Sequence, residues 1–378
     1  EGMLVIRAFN TQKHEEQRFD EANTHLTRTH LFVSRIMTLM MPIMMLIMNG
    51  ISVLIVWVGA HQVDAGAMQV GSMMAFIQYT MHIIMAFLMI SMVSIMLPRA
   101  SVSAQRIAEV LSTKTAIRDP ESPIHFKTGG PAAVEFKNVF FRYPGAEDYV
   151  LHDISFTAEP GKTTALIGST GSGKSTLVNL IPRFYDVSDG QILIDGTDIR
   201  HVTQRELRNR IGYVPQKGIL FSGTIESNLR YGDENAPDAL LEKAAQVAQA
   251  SQFISEKPEG MQSPISQGGS NVSGGQKQRL TIARALVKKP DIFIFDDSFS
   301  ALDFKTDAAL RKALRAEAAD STVLIVAQRI STIKDADQII VLDNGRIAGK
   351  GTHQDLMANC QVYREIALSQ LTEEELVS

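Results

Sequence analysis

The chain has 378 residues, a net charge of −4 and one cysteine, Cys360. This length allows two or more domains, and the small negative charge argues against a large nucleic-acid-binding surface. One cysteine cannot form a disulfide within the chain. Because the sequence begins at Glu1 in charged, helical sequence, we expect a fragment that lacks its N-terminal part.

Two long apolar segments occupy the first part of the chain. Residues 36–60 contain no charged side chain, and residues 70–97 contain none apart from the titratable His82. Each segment is longer than the roughly 20 apolar residues that a helix needs to cross a membrane. Lys and Arg occur on both outer flanks but are absent from 61–69. The sequence therefore predicts two transmembrane helices with both outer flanks in the cytoplasm.

Prolines and methionines mark these two segments. We expect Pro42 to kink the first span and Pro98 to end the second, and residues 99–111 to form an amphipathic helix that leaves the membrane. Fourteen of the seventeen methionines lie between Met37 and Met96. Because methionine adapts to irregular surfaces, they could line a pathway for varied apolar substrates, or they could be ordinary lipid-facing and packing residues. Residues 1–111 are thus an all-α membrane segment.

Residues 112–131 are rich in Pro, Gly and charge, which is typical of a linker. From residue 132 to residue 378 the pattern is that of an α/β domain. The predicted elements are strands within 132–143 and 154–168, a helix over 240–254, buried parallel strands at 291–295 and 322–328, and a hairpin at 338–351 with its turn at Asn344 and Gly345.

A glycine-rich loop predicts the chemistry of this domain. Residues 168–175, "GSTGSGKS", match the phosphate-binding pattern G-x-x-x-x-G-K-[ST], with an apolar strand before it and a helical stretch after it. Lys174 would contact the β and γ phosphates, and Ser175 and Asp296 would hold Mg²⁺. The predicted ligands are ATP and Mg²⁺. The predicted nucleotide contacts in this loop are Gly168, Ser169, Thr170, Gly171, Ser172, Gly173, Lys174, Ser175 and Thr176.

A further stretch resembles one particular family. Residues 271–303 closely resemble the signature region of ATP-binding cassette proteins, and the pentapeptide Val-Ser-Gly-Gly-Gln stands at 272–276. Residues 1–111, with "VIRAFNTQKHEEQRF" and "SVSAQRI", resemble the last two transmembrane helices of exporters of this family. The resemblance implies a half-transporter fragment: a helical membrane segment, then an α/β P-loop nucleotide-binding domain with a helical signature subdomain.

The resemblance also assigns roles to individual residues. Tyr143 matches the aromatic residue that stacks on adenine, and Gln216 matches the glutamine that joins the Mg²⁺ shell and senses the membrane domain. Residues 300–303 match the loop that touches the opposite subunit. In this family two cassettes close head to tail, so the signature would bind the nucleotide of the partner subunit. The implied contacts in the signature are Ser273, Gly274, Gly275 and Gln276.

The chain departs from the family pattern at two catalytic positions. Asp297 stands where an active cassette has Glu, and Gln328 stands where it has His. Asp is one methylene shorter, so its carboxylate retreats by roughly 1–1.5 Å, a displacement that can cost about 10²-fold in rate. Gln328 can still donate a hydrogen bond but cannot carry a positive charge. We treat these as independent departures, and Asp297, Gln328 and Gln216 are the catalytic candidates.

A third departure lies before the signature, where "ISQGGSN" at 265–271 replaces the frequent Glu-Arg-Gly run. That segment contacts the membrane coupling loops in the family, so the departure concerns coupling.

The combination resembles the degenerate-site subunit of heterodimeric multidrug exporters. It implies ATP-driven export of drugs or other amphipathic molecules across the plasma membrane by a multi-pass protein with a cytoplasmic nucleotide-binding domain. The partner half-transporter would carry Glu and His at the two positions, and membrane lipid would surround the spans. The alternatives are a slow homodimer that exports lipid or peptide, and an ATP-binding regulatory subunit. A cassette ATPase of translation or DNA repair would lack the apolar spans.

Overall fold

The computed structural model describes residues 2–126 and 132–370. The chain divides into two compact units, Glu1–Lys114 and Thr115–Ser378. The predicted linker falls at this boundary. Its residues 113–126 form neither helix nor strand, and its residues 127–131 lie outside the described part of the chain.

The first unit is helical. Its elements are α1 (Gly2–Ala8), α2 (Gln12–Asp64) and α3 (Val70–Ser112). Both α2 and α3 are long and apolar enough to cross a membrane. At 1.5 Å per residue, the 53 residues of α2 extend for about 80 Å, well beyond a hydrocarbon core of about 30 Å. Each predicted span is therefore one part of a longer continuous helix.

One prediction for this unit is wrong. Pro98 does not end its helix, because α3 continues through it to Ser112. A proline removes one backbone donor and disturbs one turn, but residues 99–111 have the amphipathic pattern of a helix and extend α3 beyond that turn. Pro42 likewise lies inside α2. The two helices approach closely at Gly59, where an added Cβ would lie 2.7 Å from Met73 Sδ.

The second unit is built from two main sheets with helices around them. The strands are β1 (Val134–Phe141), β2 (Leu151–Ala158), β3 (Thr163–Gly168), β4 (Asp189–Ile194), β5 (Thr197–Asp198), β6 (Ile211–Val214), β7 (Gly223–Thr224), β8 (Pro264–Ile265), β9 (Ile292–Asp296), β10 (Thr322–Val326), β11 (Gln338–Asp343) and β12 (Arg346–Gly351). The helices are α4 (Lys174–Leu180), α5 (Gln204–Asn209), α6 (Ile225–Arg230), α7 (Asp238–Val247), α8 (Ser251–Ser255), α9 (Gly274–Val287), α10 (Phe304–Glu317), α11 (Ile330–Ile333), α12 (His353–Asn359) and α13 (Gln361–Leu368).

The larger sheet has the strand order β12-β11-β3-β10-β9-β6, and the smaller one has the order β2-β1-β4-β5. In the larger sheet β11, β3, β10, β9 and β6 run parallel, and β12 pairs antiparallel at one edge. Successive residues of β9 point to opposite faces, as expected of a strand. Phe293 and Phe295 join the apolar cluster that includes α9, and Ile292 and Ile294 join the cluster that includes β1 and β2. The central strands are buried on both faces, which explains their continuous apolar runs.

Most of the predicted elements of this unit are confirmed, including the hairpin. Asn344 and Gly345 have φ values of 45° and 73°, and this left-handed backbone is what a tight hairpin turn requires. The predicted helix over 240–254 is instead two helices, α7 and α8. Gln249 lies between them with a φ of 55°, a conformation that an α-helix cannot contain.

Candidate nucleotide-binding site

Four neighbouring parallel strands carry the predicted site residues to one edge of the larger sheet. The phosphate loop follows β3, Gln328 follows β10, Asp297 follows β9 and Gln216 follows β6. Because the carboxyl ends of parallel strands meet at the same edge, residues that are distant in sequence converge there. The structure thus brings together the phosphate loop and all three catalytic candidates.

The phosphate loop is a narrow backbone turn that requires glycine. Gly168 has a φ of 156°, and an added Cβ would lie 2.0 Å from the carbonyl oxygen of Leu342. Gly173, with a φ of 98°, is the N-cap of α4, and its Cβ would lie 2.7 Å from Leu151 Cδ2. Side chains would fill the space that the turn needs. The helix N-terminus after it provides free N–H groups for an anion.

Lys174 is enclosed by this loop. Its Nζ donates to the carbonyl oxygens of Gly168 (2.8 Å) and Ser169 (2.7 Å). Burial lowers the pKa of Lys174, and the nearby carboxylates of Asp297 and Asp296 oppose that shift. The ammonium group is therefore held inside the turn, where it would meet a bound phosphate.

The predicted metal ligands also meet. Ser175 Oγ donates to Asp296 Oδ1 at 2.9 Å, and burial raises the pKa of Asp296. Within the described residues, no group of three or more His, Cys, Asp or Glu side chains could hold a metal. This small oxygen set is what Mg²⁺ uses when substrate phosphates and water complete its octahedron. Ser175 and Asp296 therefore fit Mg²⁺, and the loop beside them fits the phosphates.

Asp297 is buried and doubly hydrogen-bonded through one oxygen. Its exposed fraction is 7%. Its Oδ2 accepts from Gln328 Nε2 at 2.7 Å and from Gln216 Nε2 at 3.1 Å. Its backbone has a φ of 47°, and its N–H donates to the carbonyl oxygen of Val326. The two departures at 297 and 328 are in direct contact, which favours coupling between them over the independence expected from the sequence.

Tyr143 lies beside the phosphate loop through contacts that the sequence did not reveal. Its hydroxyl shares a hydrogen bond of 2.9 Å with Thr176 Oγ1 in α4. Its ring meets those of Phe141 and Tyr185 edge to face, with centroid distances of 5.0 and 5.2 Å. Tyr185, which comes after α4 and directly follows Phe184 in the sequence, was not among the predicted residues.

The signature residues lie at the N-terminus of α9. Ser273 is the N-cap: its Oγ accepts from the N–H of Gln276, and Gln276 Oε1 accepts from the N–H of Ser273. Ser273 and Gly274 are exposed. An added Cβ at Gly275 would lie 3.2 Å from the carbonyl oxygen of Ala301. Across residues 2–126 and 132–370 no side-chain hydrogen bond joins the signature to the phosphate loop.

Comparison with known proteins agrees with this arrangement. The family model described as "ABC transporter" matches residues 151–300, and the model described as "ABC transporter transmembrane region" matches residues 1–87. The chain belongs to the ATP-binding cassette (ABC) transporter family. It combines a helical membrane segment with an α/β nucleotide-binding domain.

Individual relatives extend the match over nearly the whole chain. An uncharacterized ABC transporter ATP-binding protein of Mycobacterium tuberculosis (strain H37Rv) is 48% identical over 372 residues, which is 98% of this chain and 64% of the relative. A fatty acid ABC transporter ATP-binding/permease protein of M. tuberculosis (strain CDC 1551 / Oshkosh) is 37% identical over 97% of this chain and 57% of its own length. The chain therefore spans less than two thirds of these relatives.

A solved structure supports the same assignment. It is the structure of a bacterial Atm1-family ABC exporter with ATP bound, and it is 33% identical to this chain with a TM-score of 0.86. The match covers 98% of this ABC chain and 65% of the exporter chain.

Proposed function

We propose that the whole protein is an ATP-driven exporter in which this chain is one half of a heterodimer. In this proposal the chain holds ATP at a site of its own that hydrolyses slowly, and it supplies a competent signature to the partner's site. The proposal depends on the environment of Asp297. Its short side chain is buried, and its Oδ2 accepts hydrogen bonds from the side-chain amides of both Gln216 and Gln328.

Each residue at the strand edge has a defined role in holding nucleotide. The N–H groups of the phosphate loop and the Lys174 ammonium bind the β and γ phosphates. Ser175, Asp296 and Gln216 hold Mg²⁺, which neutralises charge on the phosphates when bound. Tyr143 stacks on adenine, and its contacts with Tyr185 and Thr176 fix the orientation of its ring. These parts of the site match what nucleotide binding requires.

The two residues that would activate the attacking water, Asp297 and Gln328, are poorer catalytic groups than the Glu and His of active cassettes. A water molecule attacking phosphorus needs a carboxylate that can reach it and accept its proton. Asp297 is shorter than the Glu of active cassettes, and its Oδ2 already accepts two N–H bonds. Gln328 offers a neutral amide in place of a charged imidazole. Binding is therefore retained while the hydrolytic step is slow.

The signature differs from this site because its Ser-Gly-Gly-Gln residues stand at 273–276, with Val272 in place of the usual Leu as the one departure. Ser273 caps α9 through a reciprocal pair of hydrogen bonds with Gln276, and the exposed Ser273 and Gly274 can meet an anion at this helix N-terminus. We assign it to the γ-phosphate held by a partner subunit that carries Glu and His. Nucleotide at the slow site then keeps the two cassettes together while the partner's site turns over.

The cargo we propose is a drug or another small amphipathic molecule. The methionine-rich helices α2 and α3 present an adaptable apolar surface, and one relative is named as a fatty acid transporter. We place the multi-pass protein in the plasma membrane, with its cassette in the cytoplasm, from the Lys and Arg of the outer flanks.

The test compares two substitutions in the full-length protein purified with its partner. Ser273→Ala should lower steady-state ATP hydrolysis by about 10²-fold, since loss of one preorganised donor has that magnitude. Asp297→Asn should lower it by less than about threefold, because the slow site contributes little turnover. Ser251→Ala, at another exposed serine that begins a helix, is the matched control and should have no effect.

The opposite pattern would contradict the proposal. If Asp297→Asn abolishes hydrolysis, this chain's own site is the active one. If the full-length chain hydrolyses ATP and exports cargo from vesicles without a second polypeptide, the protein is a homodimer.

A further inference from the structure

A glutamine near the end of the chain holds the loop that carries Gln328. Gln370 lies two residues beyond the end of α13 at Leu368. Its Nε2 donates to the carbonyl oxygen of Gln328 at 2.8 Å, and its Oε1 accepts from the N–H of Ile330 at 2.9 Å. One side-chain amide therefore binds the backbone on both sides of Arg329. The loop and Gln370 are 42 residues apart in sequence.

The loop has need of this support. Ile330 begins α11, and the first N–H groups of a helix lack partners within the helix. The N-cap Arg329 makes no side-chain capping bond. Gln370 Oε1 therefore caps the N-terminus of α11, although Gln370 itself lies outside the loop. Gln328 and Arg329 are exposed, so they lack the packing that would hold their backbone in one conformation.

The same loop orients the amide that reaches Asp297. Gln328 Nε2 donates to Asp297 Oδ2 at 2.7 Å, the shorter of the two bonds on that oxygen. A continuous series of hydrogen bonds then runs from Gln370 through Gln328 to Asp297 and on to Gln216. Its two ends are the C-terminal helical segment of the cassette and the loop after β6.

We propose that Gln370 is a positioning residue: by binding the backbone at 328 and 330, it sets where the side chain of residue 328 meets residue 297. This deepens the proposed function and rests on it for the meaning of Asp297 and Gln328. Both hydrogen bonds of the Gln370 side chain go to backbone atoms of the loop, so its effect on Asp297 and Gln328 passes through that backbone.

The first test needs no nucleotide and no activity. Amide hydrogen exchange is measured on the full-length, nucleotide-free protein. Gln370→Ala should speed exchange at the Ile330 amide by about tenfold, the factor expected when a hydrogen bond worth about 1.4 kcal/mol is lost. Gln370→Glu keeps the acceptor for that N–H and should preserve most of its protection. Gln361→Ala is the matched control: Gln361 is an exposed glutamine of the same helical segment, and among the described residues its side chain hydrogen-bonds only Glu365.

The second test separates positioning from simple stability. Single-turnover hydrolysis at this chain's own site is followed in the complex, long enough to resolve a slow rate. Gln370→Ala should change the rate constant at saturating ATP by about fivefold or more while the ATP concentration for half-saturation stays within twofold, because Gln370 acts on residues 328 and 297 and not on the phosphate loop.

The outcomes are distinct. Unchanged exchange at Ile330 overturns the inference whatever the site hydrolyses. Faster exchange with an unchanged rate constant makes Gln370 a structural residue only, and also overturns it. Neither result bears on the proposed division between the two sites, which the Ser273 and Asp297 variants decide.

Discussion

Under the proposed function, the contact between Asp297 and Gln328 leads to a quantitative prediction for ATP hydrolysis at this chain's own site. Replacing Asp297 by Glu adds one methylene and moves the carboxylate outward by roughly 1–1.5 Å, which corresponds to about 10²-fold in rate, or about 2.7 kcal/mol of barrier. In the present structure that outward path is occupied, because amide nitrogens lie 2.7 and 3.1 Å from Oδ2. The longer Glu side chain can place its carboxylate where it contacts the attacking water only if the side chain at residue 328 moves or is replaced.

The expected result is therefore non-additive. We expect Asp297→Glu alone to raise single-site turnover by less than about tenfold, Gln328→His alone by less than about twofold, and the two together by about 10²-fold. The assay is hydrolysis by the full-length complex with the partner's own site disabled, so that only this chain's phosphate loop turns over ATP. Single-site turnover that stays at the parent value in the double variant would refute the geometric argument.

The pH dependence provides a second readout of the same variant. Histidine has an ordinary pKa of about 6.5, and a neighbouring carboxylate raises it. The positive charge is present below that pKa and is lost as pH rises through it, so turnover of the double variant should fall between about pH 6 and pH 8. The parent, with a neutral amide at residue 328, should lack this step. If Asp297→Glu alone gives the full gain with no new pH step, the two positions are independent.

Two further predictions concern binding and stability. Burial holds the pKa of Asp296 above its ordinary value of 3.8, so the ionised carboxylate destabilises the folded protein above the folded-state pKa, and this destabilisation disappears as pH falls toward the unfolded-state pKa. Asp296→Asn should therefore raise the unfolding temperature of the nucleotide-free protein at pH 7, with a smaller gain near pH 4. An unchanged or lower unfolding temperature at pH 7 would contradict this. Tyr143→Phe removes the hydroxyl that bonds Thr176 and keeps the ring, so it should weaken ATP binding by less than about tenfold. Tyr143→Ala also removes the stacking ring and should weaken ATP binding by about 10- to 100-fold. Equal ATP affinities of the two variants in a titration would exclude the ring as the adenine contact.

Sequence reasoning worked best where one local constraint decides the structure. The phosphate loop is such a case, since a Cβ at Gly168 or Gly173 would overlap neighbouring atoms, and only glycine tolerates that spacing. The turn at Asn344 and Gly345 is another, because both residues take the left-handed backbone that few side chains adopt. In both places the residue types alone specify the geometry.

It failed where several local tendencies compete. At Pro98 the preference of proline to end a helix was outweighed by helix-forming sequence on both sides, and α3 continues. At Gln249 a continuous helical period hid one left-handed residue between α7 and α8. Neither outcome follows from composition or periodicity, because each depends on the balance of small backbone free energies.

The contacts of the site are a third case, because they depend on strand register. Val326 of β10 pairs with Asp296 of β9, and this alignment brings residue 328 beside residue 297. Sequence patterns identified both strands but contain no information on how one is aligned along the other. The same applies to Gln370, whose partners lie about forty residues away.

That register gives a physical reason for the two departures to occur together. A buried carboxylate needs hydrogen-bond donors, and a shortened side chain at residue 297 withdraws from donors placed for a longer one. Glutamine has a flexible arm with a terminal N–H₂ group, and at residue 328 it reaches Asp297 Oδ2 at 2.7 Å. Gln216 supplies a second donor to the same oxygen. Asp297 Oδ2 thus accepts two hydrogen bonds without bound nucleotide, and binding a water molecule through this oxygen would require it to give up at least one of them. Under the proposed function, a site of this kind would favour residence of ATP over its hydrolysis, as the slow half of a two-site exporter requires.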